Sequence, residues 1–115
     1  MRLAVVGGRD FDDYSMMRTI LDEHKNITEI VSGGAKGADT LAKRYAESRG
    51  IPIKEFLPDW ENEGRKAGTI RNAKVVNYCN KLIAFWDRKS SGTRSSINLA
   101  RRSRKLGGVI YYGTD

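Results

Sequence analysis

Residues 28–46, Thr-Glu-Ile-Val-Ser-Gly-Gly-Ala-Lys-Gly-Ala-Asp-Thr-Leu-Ala-Lys-Arg-Tyr-Ala, decide the fold. Thr28 to Ser32 is a short apolar-centred run of strand length, and Gly33-Gly34-Ala35-Lys36-Gly37 closes it with a turn. Beyond the turn the spacing changes. Ala38, Leu41, Ala42, Tyr45 and Ala46 fall on one stripe of a helix, and the alanines permit close approach to a sheet. Strand, glycine turn and helix together make the repeating unit of a parallel sheet, because a parallel connection has to cross back over the sheet face.

The same unit recurs on both sides. Leu3-Ala4-Val5-Val6 is a continuous apolar run ended by Gly7-Gly8, as expected for a strand covered on both faces. A helix follows on Tyr14, Met17, Ile20 and Leu21, with Asp12 or Asp13 suited to cap it. Gly50 ends the helix after the decisive stretch, Ile51 to Leu57 reads as a third strand, and Pro58-Asp59-Trp60-Glu61 reads as the beginning of a loop. A helix over Lys66 to Tyr78 leads to a fourth strand, Lys81 to Trp86. The Ser90-Ser91-Gly92-Thr93 turn opens a helix ending near Leu106, Gly107-Gly108 breaks it, and Val109 to Tyr112 is the last strand. The expectation is an α/β fold: one Rossmann-like, doubly wound domain over residues 1–115, with a mainly parallel five-stranded sheet.

Composition narrows the classes. A chain of 115 residues with 39% apolar residues suits a single core. No run approaches the length of a membrane span, and Met1 to Gly7 lacks the layout of a signal peptide, so a cytoplasmic location is expected. With one cysteine, Cys79, and one histidine, His24, no disulfide or thiol-rich zinc spacing exists, and neither a metal nor a cofactor is expected. Cys79 lies among Val75, Val76, Tyr78 and Leu82 and reads as a packed small hydrophobe. The net charge of +7 comes from 21 basic and 14 acidic residues. Arg88, Lys89, Arg94, Arg101, Arg102, Arg104 and Lys105 have no acid among them and account for the whole excess. Such a segment reads as a solvated helix face, with nucleic-acid binding through residues 88–105 as the alternative.

Three glycine-bearing turns converge on one edge of the expected sheet: Gly7-Gly8, Gly33-Gly34 with Gly37, and Gly92-Thr93. Ligands of open α/β sheets bind at that edge, where glycine lets backbone amides approach a phosphate and the next helix start favours an anion. The ATP-binding loop and the dinucleotide fingerprint are both absent, which disfavours a conventional ATPase or NAD dehydrogenase. Arg9 is placed to fork onto a phosphate. Asp39 is suited to cap its helix, orient a cation or meet a ribose. Asp87 ends the fourth strand, where a ligand hydroxyl or base is reached more readily than a core. Thr93 is suited to cap the following helix, with Ser91 assisting. Arg71 points into the cleft if the glycine-containing stretch from Gly64 to Thr69 lies across the sheet edge, and Asn72 then fixes a loop or a base edge. Either indole is able to stack on a base, but Trp86 reads as core and Trp60 as a loop anchor.

These residues together resemble the SLOG superfamily, and most closely its small YspA-type, YpsA-related branch. The matching pieces are Gly7-Gly8-Arg9-Asp10-Phe11, Ser32 to Ala42, Pro58-Asp59-Trp60, Gly68 with Arg71-Asn72, and Phe85-Trp86-Asp87 followed by Ser91-Gly92-Thr93, which span nearly the whole chain in order. The chain is more distantly similar to the lonely-guy phosphoribohydrolases and to DNA-processing protein A. The resemblance implies a nucleotide-type site made by Gly7, Gly8, Arg9, Gly33, Gly34, Gly37, Asp39, Arg71, Asn72, Asp87, Ser91, Gly92 and Thr93. It also implies a homodimer or higher homo-oligomer.

In the phosphoribohydrolases an arginine and a glutamate carry N-glycosidic cleavage. The arginine matches Arg71, but the glutamate position is Ser96 here, and Asp87-Arg88-Lys89-Ser90-Ser91 replaces the opening proline-glycine-glycine. Serine cannot supply the carboxylate that protonates a leaving base or stabilises a cationic ribose. The expected function is therefore binding or sensing of a nucleotide or nucleotide-derived phosphate ligand. A phosphoribohydrolase-like enzyme using Arg71, Asp87 and Asp39 is the first alternative and a nucleic-acid-binding protein the second.

Overall fold

Successive residues of a strand face opposite ways, and this explains why a continuous apolar run makes the central strand. In the computed structural model, which describes residues 1–113, Leu3 and Val5 of β1 (Arg2–Gly7) face one apolar layer and Ala4 and Val6 the other. Thr114 and Asp115, the end of the expected domain, lie outside the described residues. β4 (Lys81–Trp86) repeats the pattern, with Ile83 and Phe85 on the first face and Leu82 and Ala84 on the second. Their partners are β2 (Glu29–Ser32), β3 (Ile53–Glu55) and β5 (Leu106–Tyr111). All five strands are parallel, in the order β3-β2-β1-β4-β5.

Helices α1 (Tyr14–Asp22) and α2 (Ala38–Arg49) cover the first face through Met17, Leu21, Ala38, Ala42, Tyr45 and Ala46. The three alanines, four residues apart, form a flat ridge with no exposed surface. On the second face α4 (Ala67–Tyr78) and α5 (Ser91–Arg102) bury Val75, Val76, Ile97 and Ala100. Cys79 is packed there, its thiol donating to the Val76 carbonyl at 3.5 Å and held above its usual pKa by burial. Between β3 and α4 lie a short helix α3 (Trp60–Glu63) and a single 3-10 turn (Gly64–Lys66).

Four local expectations are corrected. The third strand is only Ile53–Glu55. The segment expected as loop becomes α3 because Asp59 caps it, its carboxylate accepting from the Asn62 amide at 3.1 Å. The fifth helix stops at Arg102: Arg104 adopts a left-handed backbone (φ 59°) and the Lys105 amide returns to the Ala100 carbonyl at 2.9 Å. Gly107 and Gly108 consequently lie inside β5, and Tyr112 follows it. Among the described residues no helix is long and apolar enough to cross a membrane.

Candidate functional site

The chain steps from β1 outward through β2 to β3, then returns to the other side of β1 to lay down β4 and β5. The connections leaving β1 and β4 therefore diverge, which opens a crevice over their carboxyl ends. A cleft of about 610 Å³ lies there. It is lined by Gly7 and Arg9 after β1, Gly33 and Ala35 after β2, and Arg71 and Asn72 on α4. Ser90, Ser91, Gly92 and Thr93 at the start of α5, and Trp60 and Arg65 from the segment before α4, complete its rim. A smaller hollow of about 300 Å³ shares Arg9, Gly33, Ala35, Trp60 and Arg71 and adds Gly34, Lys36 and Pro58.

Arg71 organises the crevice. Its Nη1 donates to the Gly33 carbonyl at 2.7 Å and its Nε to the Asn72 side-chain oxygen at 2.9 Å. The Asn72 amide in turn donates to the Gly92 carbonyl at 3.4 Å. A chain of three hydrogen bonds thus ties the turn after β2 to the start of α5 across the split. Any side chain at position 33 would run into the Arg71 guanidinium, so glycine is required for this close approach.

Asp39 is the one acid among the described residues lining the cleft. Only 7% of it is exposed, and Oδ2 accepts from the Ala35 amide at 3.0 Å. Burial lifts its pKa to about 6, against the opposing pull of the Ala35 amide, the Arg71 charge and the Gly33 amide. A carboxyl in this state titrates close to neutrality and so can exist in either form. It fixes the turn before α2 and is not that helix's cap, a position held by Gly37.

At α5 the cap is Ser90, whose Oγ accepts from the Thr93 amide at 3.4 Å. Thr93 itself sits within the first turn, 4% exposed, and Ser96 lies one turn on, 2% exposed, both lining the cleft. The first amides of a helix have no intrahelical acceptor, and the dipole there favours an anion. Arginines, hydroxyls and this helix start make a lining whose chemistry suits an anion, with one titratable acid among the described residues. Among the described residues no cluster of His, Cys, Asp or Glu is arranged to hold a metal ion.

The described lining brings together Gly7, Arg9, Gly33, Asp39, Arg71, Asn72, Ser91, Gly92 and Thr93, with Gly34 in the adjoining hollow, and leaves out Gly8, Gly37 and Asp87. Gly8 packs by backbone, its carbonyl accepting from the Phe11 and Ala38 amides at 3.3 and 3.2 Å. Asp87 closes its own turn: its carboxylate accepts from the Lys89 and Ser90 amides, both at 2.8 Å, and these bonds hold its pKa below the usual range. Trp86 is half-buried beside Tyr111, its indole nitrogen donating to the Ser90 carbonyl at 3.1 Å. Trp60 is no buried loop anchor, being 55% exposed. Residues of the lining that the sequence reading did not single out for the site include Arg65, Ala35, Thr69, Ser90 and Ser95. Arg65 lies within the very glycine-bearing stretch used to argue for Arg71, and that was the available signal.

The model of the YspA, cpYpsA-related SLOG family, YAcAr, matches residues 1–62, more than half of the chain. The Gene 61 protein of Mycobacterium phage D29 is 30% identical over 112 residues, spanning 89% of this chain and 90% of that protein. The chain belongs to the YspA, cpYpsA-related SLOG family. Its fold is shared with the solved structure of DNA processing protein A from Helicobacter pylori, described for its single-stranded DNA binding mode. That match has a TM-score of 0.76 at 23% identity, over all of this chain and 67% of the other.

Proposed function

We propose that the cleft binds a nucleotide or nucleotide-derived phosphate ligand, and that the protein acts by binding or sensing it. Family membership and fold support binding of a ligand or nucleic acid. The observation that carries the narrower reading is the convergence of Arg9, Arg65, Arg71 and the start of α5 on one cleft, with a single acid among the described residues that line it. A phosphate meets the arginines and the free amides of α5, while Asp39 and the neighbouring hydroxyls suit a ribose. The test is calorimetric titration with AMP and ADP-ribose, each followed by chromatography of the recovered ligand. Binding with intact recovery, weakened about tenfold or more by Arg9→Ala or Arg71→Ala, is the expected result. Failure of both ligands, and of a wider nucleotide panel, to bind defeats the reading.

A hydrolytic reading has one observation in its favour. Asp39 is a buried carboxyl whose pKa of about 6 suits a general acid. Ser96 stands against it, since it lines the cleft where the related hydrolases carry a glutamate. Free base and ribose phosphate accumulating in proportion to protein, and vanishing with Asp39→Asn, would establish the enzyme. Nucleic-acid binding is favoured by the fold shared with DNA processing protein A, and its route here is the cationic segment 88–105. Self-association is proposed on the family resemblance, and light scattering showing a species above 12.9 kDa at micromolar concentration supports it.

A further inference from the structure

The chain contains ten aromatic residues, three Phe, two Trp and five Tyr. Nine of them meet another ring or a cationic side chain. Phe11 packs on Phe85 and Tyr112, Phe56 on Tyr78 and Trp86 on Tyr111, while Arg44 and Arg49 cover Tyr14 and Tyr45. Trp60 is the exception: among the described residues it has neither partner, and 55% of it is exposed. A solvent-facing indole leaves a large apolar area in water, which folding alone does not reward.

Its position is not set by core packing either. Neither α3 nor the 3-10 turn that follows buries a single residue, and they pack on α4 and on each other. The far edge of the indole lies over Gly68, about where a side chain there would make ordinary contact at 3.6 Å. Trp60 lines both the main cleft and the adjoining hollow, on the same rim as Arg65 and Arg9. An unpartnered flat ring on a rim it shares with arginines offers a stacking face in the same cleft as groups that suit an anion, and base–aromatic stacking tolerates any base because each has a π-face.

We propose that Trp60 is the base-stacking residue of the cleft, so that the ligand is a nucleoside phosphate with its planar base intact and not a bare sugar phosphate. The proposal rests on the nucleotide reading of the same site and adds the part of the ligand that Trp60 recognises. The experiment compares AMP with ribose 5-phosphate, by calorimetry, on the whole chain and on Trp60→Ala and Trp60→Phe. Circular dichroism of each variant checks the fold, which the absence of buried residues in α3 leaves independent of Trp60. In the parent protein AMP binds about tenfold more tightly than ribose 5-phosphate; Trp60→Ala removes that advantage and Trp60→Phe keeps most of it. Ribose 5-phosphate binds parent and variants alike. Unchanged AMP affinity in Trp60→Ala overturns the assignment of Trp60 while leaving the phosphate site standing. Equal losses for both probes also overturn it, by making Trp60 a support of the site. If neither probe binds the parent protein, the nucleotide reading falls and the stacking role with it.

Discussion

Two cationic regions of this molecule differ in kind. The segment 88–105 is dense in positive charge, yet several of its cations are dispersed among separate local partners. Arg88 lies over the Tyr111 ring at 4.3 Å, Arg94 over Trp86 at 5.4 Å, and the Lys105 ammonium donates to the Val76 and Asn77 carbonyls at 2.8 and 3.2 Å. The cleft draws its three arginines from distant parts of the chain, and they share one cavity with a helix start and a buried acid. Charge density along a sequence therefore locates a solvated face, whereas convergence of turns locates a concave site. The proposal therefore rests on geometry held by the fold, as with Arg71 pinned to Gly33, more than on the number of nearby cations.

The largest expected contrast between the regions is in stability. Gly37 has φ 75° and ψ −121°, and a side chain there would meet the Gly8 carbonyl and the Arg9 backbone. Gly37→Ala is expected to destabilise the fold by about 3 kcal/mol or more, whereas Arg101→Ala on the exposed flank changes it by less than about 0.5 kcal/mol. Urea unfolding measures both. Equal effects would break the distinction between a constrained edge and a solvated face.

The next contrast is in pH dependence. Asp39 has its pKa raised from 3.8 to about 6 on folding, so the folded chain holds this proton more tightly than the unfolded one. Stability from this group is present below the unfolded value and is lost as pH rises through about 6, by an amount on the order of 3 kcal/mol. Asp39→Asn removes that slope and is expected to be the more stable protein at about pH 7.5. Protonation also removes the one carboxylate charge that the described residues bring to the cleft, so ADP-ribose should bind several-fold more tightly at about pH 5.5 than at about pH 7.5; its diphosphate is a diester and lacks the titration near pH 6 of a phosphate monoester. Chemical denaturation and calorimetry across pH check both. A flat profile in the parent protein would remove Asp39 from the account.

The smallest effect sharpens the comparison from the other side. Arg101→Gln with Arg102→Gln should change ADP-ribose affinity by less than about twofold at physiological salt, because screened surface charges act weakly at a distance. If the flank binds single-stranded DNA, the same double substitution lowers that affinity and reduces the salt slope by about two. A tenfold loss for ADP-ribose in calorimetry, against the change of less than about twofold expected here, would merge the two regions into one site.

Much of this was legible in the sequence, for reasons that differ by element. β1, β4 and the stripe of α2 follow from strand and helix periodicity, and the sheet follows from their alternation. The glycine turns marked the edge that carries the cleft, because a parallel sheet presents all its strand-to-helix turns on one side. Short-range polar chemistry was harder to read. Asp87 looked ligand-facing from its place after a strand, but two amides within three residues of it claim its carboxylate. Asp59 capping a four-residue helix and Arg104 turning the chain with φ 59° were hidden similarly, since capping and a left-handed non-glycine residue leave little trace in apolar spacing. Trp60 and Arg65 depended on where one short segment comes to rest, which is tertiary information.

Amide chemical shifts followed through a titration with ADP-ribose test the central claim most directly, because they report where a ligand sits as well as whether it binds. The account predicts saturable shifts at Gly7, Arg9, Gly33, Ala35, Asn72, Gly92 and Thr93, and little change from Asn98 to Lys105. Shifts confined to that cationic flank, or none at the cleft up to saturating ligand, would contradict it.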